Sequence, residues 1–357
     1  MSVLTRARVL DATLPTLTAL LCAALLGSIV ILAFGQAPAV VYALLFEGTW
    51  GNAYGLGQVL YKATTLTCTG LSVAFALRAG LFNVGGEGQL AAGAFAAALV
   101  GATLSSATPA WLAVPTCLLA AALGGALVGA LPGWLKARFG AHEVIVTILL
   151  NFIVLAALNY WVAEKLHVHE TVHTPPIVPG AELARFDGTF PGSALNASVF
   201  LALALAAAIA WLLFRTRFGY DVRATGFSPG AAEYGGVRLS RVYLGAMALS
   251  GALAGLGGVN FVLGYKHYYE DGFTGGAGFF GIAVALVGRS HPAGVVLAAV
   301  LFATLSQGGL AIHALVPKQM VEVLEAVVII AMAAAVPATR AVLARSAAVV
   351  RTAEEPR

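Results

Sequence analysis

Charge is what this sequence has least of. Of its 357 residues only 10% are Asp, Glu, Lys or Arg, while 60% are apolar; an ordinary soluble domain is about a quarter charged. That shortage excludes a soluble globular protein and places the chain in a bilayer. Cysteine is scarce too. Cys22, Cys68 and Cys117 are odd in number, sit in apolar runs and lack metal-ligand spacing, so no disulfide framework is implied and they read as small buried hydrophobes. No Gly-x-x-x-x-Gly-Lys-Ser/Thr phosphate loop occurs, which means that the chain supplies no conventional ATP site of its own. The formal charge of +4 comes with no nucleic-acid motif, and its meaning lies in where the basic residues fall relative to the membrane.

What is abundant is apolar run length. Cutting at charges, prolines and loop-like clusters leaves about ten segments, each near the ~20 residues that a helix needs to cross. They lie at 14–34, 58–77, 87–104, 110–132, 142–162, 196–214, 242–263, 275–288, 293–312 and 319–337, the eighth being short. Arg6 and Arg8 ahead of the run Leu14 to Phe34 imitate a signal peptide, but the run is about span length and lacks a clear cleavage site, so a retained first helix is expected. The basic residues agree with ten spans. With the N-terminus inside, Arg6, Arg8, Arg78, Lys136, Arg138, Arg215, Arg217, Arg223, Arg238, Arg241, Arg289, Arg340, Arg345, Arg351 and Arg357 fall on cytoplasmic ends or loops. Only Lys62, Lys165, Arg185, Lys266 and Lys318 fall outside, so fifteen of the twenty follow the positive-inside rule with both termini cytoplasmic.

The organisation that follows is a single membrane domain over 1–357. It comprises a first helix (14–34), a first half (58–162), an external loop (163–195), a sixth helix (196–214), a cytoplasmic loop (215–241), a second half (242–337) and a cytoplasmic tail (338–357). The external loop holds His167, His169 and His173 among four prolines; solvated loop histidines are commoner than metal ligands, and the loop is expected to meet an external partner. Gly125, Gly129 and Gly133, with Gly251 and Gly255, recur at the four-residue spacing that lets helix backbones approach in lipid. In the cytoplasmic loop, Ser228 can cap a short surface helix with Pro229 at its first turn and Gly235-Gly236 at its end.

The most informative stretch is Gly80 to Gly93, which sets Asn83, Glu87 and Gln89 among glycines in an apolar run. A broken helix survives at membrane depth only where protein or a water-filled cavity satisfies its freed backbone groups, and an ionisable residue there is a functional candidate. The three polar side chains either line a path or act as polar glue between helices. A second glycine-rich break spans Gly272 to Gly288, and two interrupted segments in corresponding halves point to a transport site built from an internal repeat. Glu87, Glu143 and Glu325 also keep open an ion-coupled secondary transporter of a small polar solute, and discontinuous helices alone would permit a passive pore.

The run Arg78-Ala-Gly-Leu-Phe-Asn-Val-Gly-Gly-Glu-Gly-Gln89 closely resembles the signature of the inner-membrane permease subunits of ATP-binding cassette importers for nucleosides and simple sugars, relatives of the branched-chain amino acid and ribose permeases. Ala141-His-Glu-Val-Ile-Val-Thr-Ile-Leu-Leu-Asn151 is similar to a second segment of that family, with His142 where the family usually has Asn. Within 215–241, Arg223, Ala224, Thr225, Gly226, Pro229, Ala231, Ala232, Tyr234 and Gly236 resemble the loop on which the family docks its ATPase. The resemblance implies an all-α membrane protein of about ten helices in the bacterial inner (cytoplasmic) membrane, with two related halves after an extra first helix and interrupted helices near 80–90 and 272–281. It further implies a partner ATPase that binds the ATP and Mg, a second permease of the same or a homologous chain, and an external substrate-binding protein. This chain itself would be no enzyme and would hold no cofactor or metal. Nucleoside is the first choice of substrate, followed by simple sugar.

Overall fold

The computed structural model describes residues 21–166 and 171–313, together with 18, 168, 322, 323, 326, 327 and 329–331. The start of the first helix, most of the tenth segment with Glu325, the tail 338–357, His167 and His169 lie outside the described residues. Secondary structure among the described residues is helical, apart from two isolated bridges, His173 with Glu270 and Arg185 with Asn196. The chain divides into two compact units, Met1–Gly48 with Leu305–Arg357, and Thr49–Thr304.

In the first unit, α1 (Leu21–Ala33) and α2 (Pro38–Thr49) meet at a bend of 114°. Gly35 makes the turn with a φ of +74°, and Pro38 opens α2, where its missing N–H costs no helical hydrogen bond. The segmentation by apolar runs assigned no element to 35–57, because α2 is too short to read as a span. Ile31, Val41 and Ile312 form the buried centre of this unit.

The second unit is built around two polar-bearing helices, α3 (Ala53–Arg78) and α4 (Gly86–Thr103). Around them stand α5 (Ala110–Phe139), α6 (Glu143–Trp161, continued by a π turn to Leu166), α7 (Ser198–Arg215), α8 (Arg217–Phe227), α9 (Pro229–Tyr234), α10 (Leu239–Gly257), the short α11 (Val259–Phe261), α12 (Ala277–Val287) and α13 (Pro292–Ala311). Among the described residues five helices are long and apolar enough to cross a membrane, or six if the bent α1–α2 pair counts as one. α3 and α4 fall outside that set for a physical reason: they are wrapped by other helices and not lipid, so they tolerate Thr64, Thr67, Thr69, Ser72, Glu87 and Gln89 as buried residues. α12 has 11 residues, about 16 Å at 1.5 Å per residue, half a crossing. The outer helices α5, α6 and α7 present Leu119, Leu123, Leu127, Ile148, Leu149, Phe152, Ile153 and Phe200 outward, the surface expected of helices that meet lipid tails or a neighbouring apolar chain.

The tightest helix pair is α5 with α10. A Cβ placed at Gly125 would collide with Gly251 O and Gly255, one at Gly129 with Met247 O and Gly251, and one at Gly133 with Tyr243 O. The glycine spacing therefore marks a real seam, in which backbone meets backbone because no side chain intervenes.

On the opposite end from α8, the loop over 171–196 is laid down on the segment after α10. Thr174 N donates to Tyr269 O (2.9 Å), Ile177 N to His267 O (2.8 Å) and Leu183 N to Leu263 O (2.8 Å). Tyr269 is buried edge-on against Phe95 and Phe273, and this burial, with Asp271 adding to it, pushes its phenol well above the usual tyrosine range. The loop is thus a fitted cover and not a solvated strand of chain.

Candidate functional site

Between α3 and α4 the helix stops for seven residues. Gly80 adopts a φ of +71°, a conformation that side-chain-bearing residues avoid, and the chain then runs through Leu81 to Val84 without regular secondary structure before α4 begins. Its backbone groups are satisfied by side chains from α6. Glu143 Oε1 accepts from Phe82 N (3.4 Å), Thr147 Oγ1 from Val84 N (3.3 Å) and Asn151 Oδ1 from Gly88 N (2.9 Å), while Asn151 Nδ2 donates to Val84 O (2.9 Å). Four-residue spacing sets Glu143, Thr147 and Asn151 on one face of α6, and all three are buried while most of that helix is exposed. The other carboxylate oxygen of Glu143 accepts from Lys136 Nζ of α5 at 2.6 Å, so its charge is paired.

Asn83 lies at the centre of a closed polar knot. Its Nδ2 donates to Gln89 Oε1 (2.8 Å) and Ser250 Oγ (2.7 Å), and its Oδ1 accepts from Gln89 Nε2 (3.0 Å) and Gly85 N (2.9 Å). Ser250 Oγ in turn donates to Ser72 O at 2.7 Å. The knot therefore ties the break to α3 and α10, and each buried amide has the partners that its burial demands.

Glu87 reaches the other way. Its Oε1 accepts from Gly276 N (3.0 Å) and its Oε2 from Gly278 N (2.8 Å), at the first turn of α12. Only 5% of Glu87 is exposed. One carboxylate thus sits at two helix N-termini, that of its own α4 and that of α12, where unsatisfied N–H groups favour negative charge. The approach is close enough that a Cβ at Gly278 would collide with Glu87 N and the Gly86 carbonyl carbon. The two glycine-rich interruptions, 189 residues apart at Glu87 and Gly276, meet at this point.

At the far side of the break lies the stretch 215–241. The expectation of one short helix is half of what is found: it folds as two, α8 and α9. Thr216 caps α8 by accepting from Gly219 N (3.1 Å), and Ser228 caps α9 by accepting from Ala231 N (3.4 Å), with Pro229 at the first turn and Gly235 at the end. The missed helix is held by tertiary contact: Gly219 packs on the backbone of Leu212 and Leu213, and the ring of Phe218 lies 6.4 Å from that of Phe75. Gly226 rests directly on Arg78 O and on Gly80, so α8 touches the backbone at the point where α3 breaks. Arg78 Nε donates to Ser290 O (2.8 Å), beyond the C-terminus of α12.

Of the nine residues singled out in this stretch, Arg223, Ala224, Thr225 and Gly226 fall on α8, Pro229, Ala231, Ala232 and Tyr234 on α9, and Gly236 just beyond it. Thr225 and Ala232 are buried, and Arg223 places its guanidinium 5.5 Å from the ring centre of Phe214. Pro229, Ala231 and Tyr234 are exposed, Tyr234 by 97% and the neighbouring Phe227 by 90%. Sequence reasoning missed Ser72, Ser250, Thr147 and Asn151 as parts of the junction. The signal that could have found the last two is the polar i, i+4, i+8 series that begins at Glu143 in an otherwise apolar helix. His173 stacks on Tyr268 (4.1 Å between ring centres), and no group of His, Cys, Asp or Glu fit to hold a metal occurs among the described residues.

Residues 55–333 match the family of the branched-chain amino acid transport system / permease component. The chain belongs to that family. It is 38% identical over 314 residues to a guanosine ABC transporter permease of Bacillus subtilis, covering 86% of this chain and 89% of that one. A glucose ABC transporter permease of Haloferax volcanii is 33% identical over 333 residues (88% and 85%), and a nucleoside ABC transporter permease of Lactococcus lactis is 32% identical over 314 (85% and 86%). No solved structure matches the chain. This permease is therefore the membrane subunit of an ATP-binding cassette importer, a multi-pass protein whose relatives are transport components and not enzymes.

Proposed function

We propose that the permease forms the translocation path for a nucleoside, with a simple sugar as the second reading. The observation that carries the substrate class is the near full-length similarity to permeases named for guanosine and nucleosides; the comparable similarity to one named for glucose favours the second reading. In this reading the chain crosses a bacterial inner membrane about ten times with both termini inside, and pairs with a second permease, itself or a homologue. An external binding protein delivers the solute to the face covered by residues 171–196. A separate ATPase binds ATP and Mg and docks on α8 and α9.

The contacts support one route from motor to gate. A partner that grips α9 through Tyr234, Ala231 and Pro229 moves α8, and Gly226 transmits that movement to Gly80 because no side chain cushions the two backbones. Asn83, Glu87 and Gln89 act in this scheme as the ties that keep the broken segment whole, since their polar atoms are already engaged with protein. Packed junctions of this kind move as rigid bodies between discrete arrangements.

Reconstitution tests the assignment. Proteoliposomes that contain the permease, its ATPase and its binding protein are expected to accumulate labelled guanosine when ATP is supplied on the ATPase side. Preferential glucose uptake would select the second reading, and accumulation without ATP or partner proteins would overturn both.

A further inference from the structure

At the end of the α5–α10 pair that carries Arg138 and Arg241, a cleft of about 240 Å³ opens between the two helices, lined by Trp134, Ala137, Arg138, Ser240, Arg241 and Leu244. Arg138 and Arg241 both line it, and neither side chain has a hydrogen-bond or ion-pair partner among the described residues. The nearest cation on α5, Lys136, is committed to Glu143 at 2.6 Å and to the face of the Tyr243 ring, so that carboxylate does not serve the arginines. Like charges brought to one cleft without a carboxylate call for an anion from outside the chain. The walls say which kind. Leu127, Leu131 and Trp134 climb one side of α5 from the cleft, all of them exposed, with Leu244 on the facing helix. A soluble anion would leave that strip bare, whereas an acyl chain covers it while its headgroup meets the arginines.

We propose that this cleft is a binding site for an anionic phospholipid of the inner leaflet, with Arg138, Arg241 and Ser240 on the headgroup phosphate and Leu127, Leu131 and Trp134 along an acyl chain. Basic pockets between spans on the cytoplasmic side are suited to such headgroups, and Trp at that level is an interfacial anchor. The site rests on the orientation proposed above and not on the substrate class. Its position has a consequence: it straddles the Gly125–Gly251 seam at one end, so a bound lipid braces the pair that carries Ser250 of the polar knot.

The test is lipid retention and thermal unfolding of the purified, delipidated permease, with phosphatidylglycerol, phosphatidylcholine and inorganic phosphate as probes. Phosphatidylglycerol is expected to bind and raise Tm, with affinity falling about fivefold for each arginine removed in Arg138→Gln and Arg241→Gln. Half-molar salt is expected to weaken binding to the unaltered protein, a measurement that needs no variant to fold. Equal binding of phosphatidylcholine would overturn the headgroup assignment, and the same Tm shift with inorganic phosphate would make this a site for free phosphate. Labelling of Ala141→Cys by an impermeant maleimide separates the orientation: reaction from the inner side alone is expected, and reaction from outside would overturn the inner-leaflet assignment whatever the binding data.

Discussion

The junction at 79–88 and the α8–α9 pair lie in direct contact through Gly80 and Gly226, yet they are built on opposite terms. At the junction nearly every polar atom is answered from within: Glu143, Thr147 and Asn151 of α6 serve the backbone of the break, Ser72 and Ser250 serve the Asn83 amide, and the one carboxylate of Glu87 serves α12. On α8 and α9 the helices are capped and seated, but Phe227 and Tyr234 are almost fully exposed among the described residues. The difference teaches how to read polar and aromatic residues in a membrane protein. Polar groups with all partners present act on the chain itself, while exposed aromatics on a polar surface loop act on something else.

The contrast is broken most severely at the seam behind the knot. Gly251→Leu would drive a side chain into Gly125 O, at an expected cost of about 3 kcal/mol or more, read as loss of monodisperse protein after extraction from membranes. Normal yield and Tm would mean that α5 and α10 do not pack through their glycines.

Next comes Glu87. Glu87→Ala leaves Gly276 N and Gly278 N without acceptors, an expected loss of about 2–4 kcal/mol, measured as a fall in Tm with uptake reduced in step. Glu87→Gln retains an acceptor and is expected to lie between the two. Wild-type stability with abolished transport would instead assign Glu87 to the solute.

A smaller effect is expected at Asn151, whose amide serves Gly88 N and Val84 O. Asn151→Leu should cost about 1–2 kcal/mol, since interhelical hydrogen bonds in membranes are individually modest. An unchanged Tm would remove α6 from the support of the break.

The smallest change in stability and the cleanest loss of function are expected together on α9. Tyr234→Ser and Ala231→Glu alter exposed positions and should leave stability within about 0.5 kcal/mol, while ATPase co-purification and ATP-dependent uptake fall at least about tenfold, the loss of a buried aromatic anchor. Retention of both would sink the docking assignment and with it the contrast between the two regions.

Much of this was legible along the chain. Lack of charge announced the bilayer, the Gly125/Gly129/Gly133 and Gly251/Gly255 spacing announced a helix seam, and Ser228 with Pro229 announced α9. The polar stretch at Asn83 to Gln89 announced a break, because a membrane helix has no other reason to collect amides and glycines. What stayed hidden was α8, whose cap Thr216 looks ordinary and whose stability comes from Gly219 and Phe218 packing on other helices. Hidden as well was the service that Thr147 and Asn151 render, since the backbone they satisfy lies more than sixty residues away.

By itself the sequence determined solvent, helix, break and seam, for each depends on residue types within a turn or two of one another: apolar run length, capping side chains, glycine where nothing larger passes. Only the tertiary structure decided that Glu87 belongs to α12, that the break at 81–84 leans on α6, and that Gly226 presses on Gly80. Those are pairings between residues 63 to 191 positions apart, and hydrogen-bond valence states that a buried group must find a partner without naming which one.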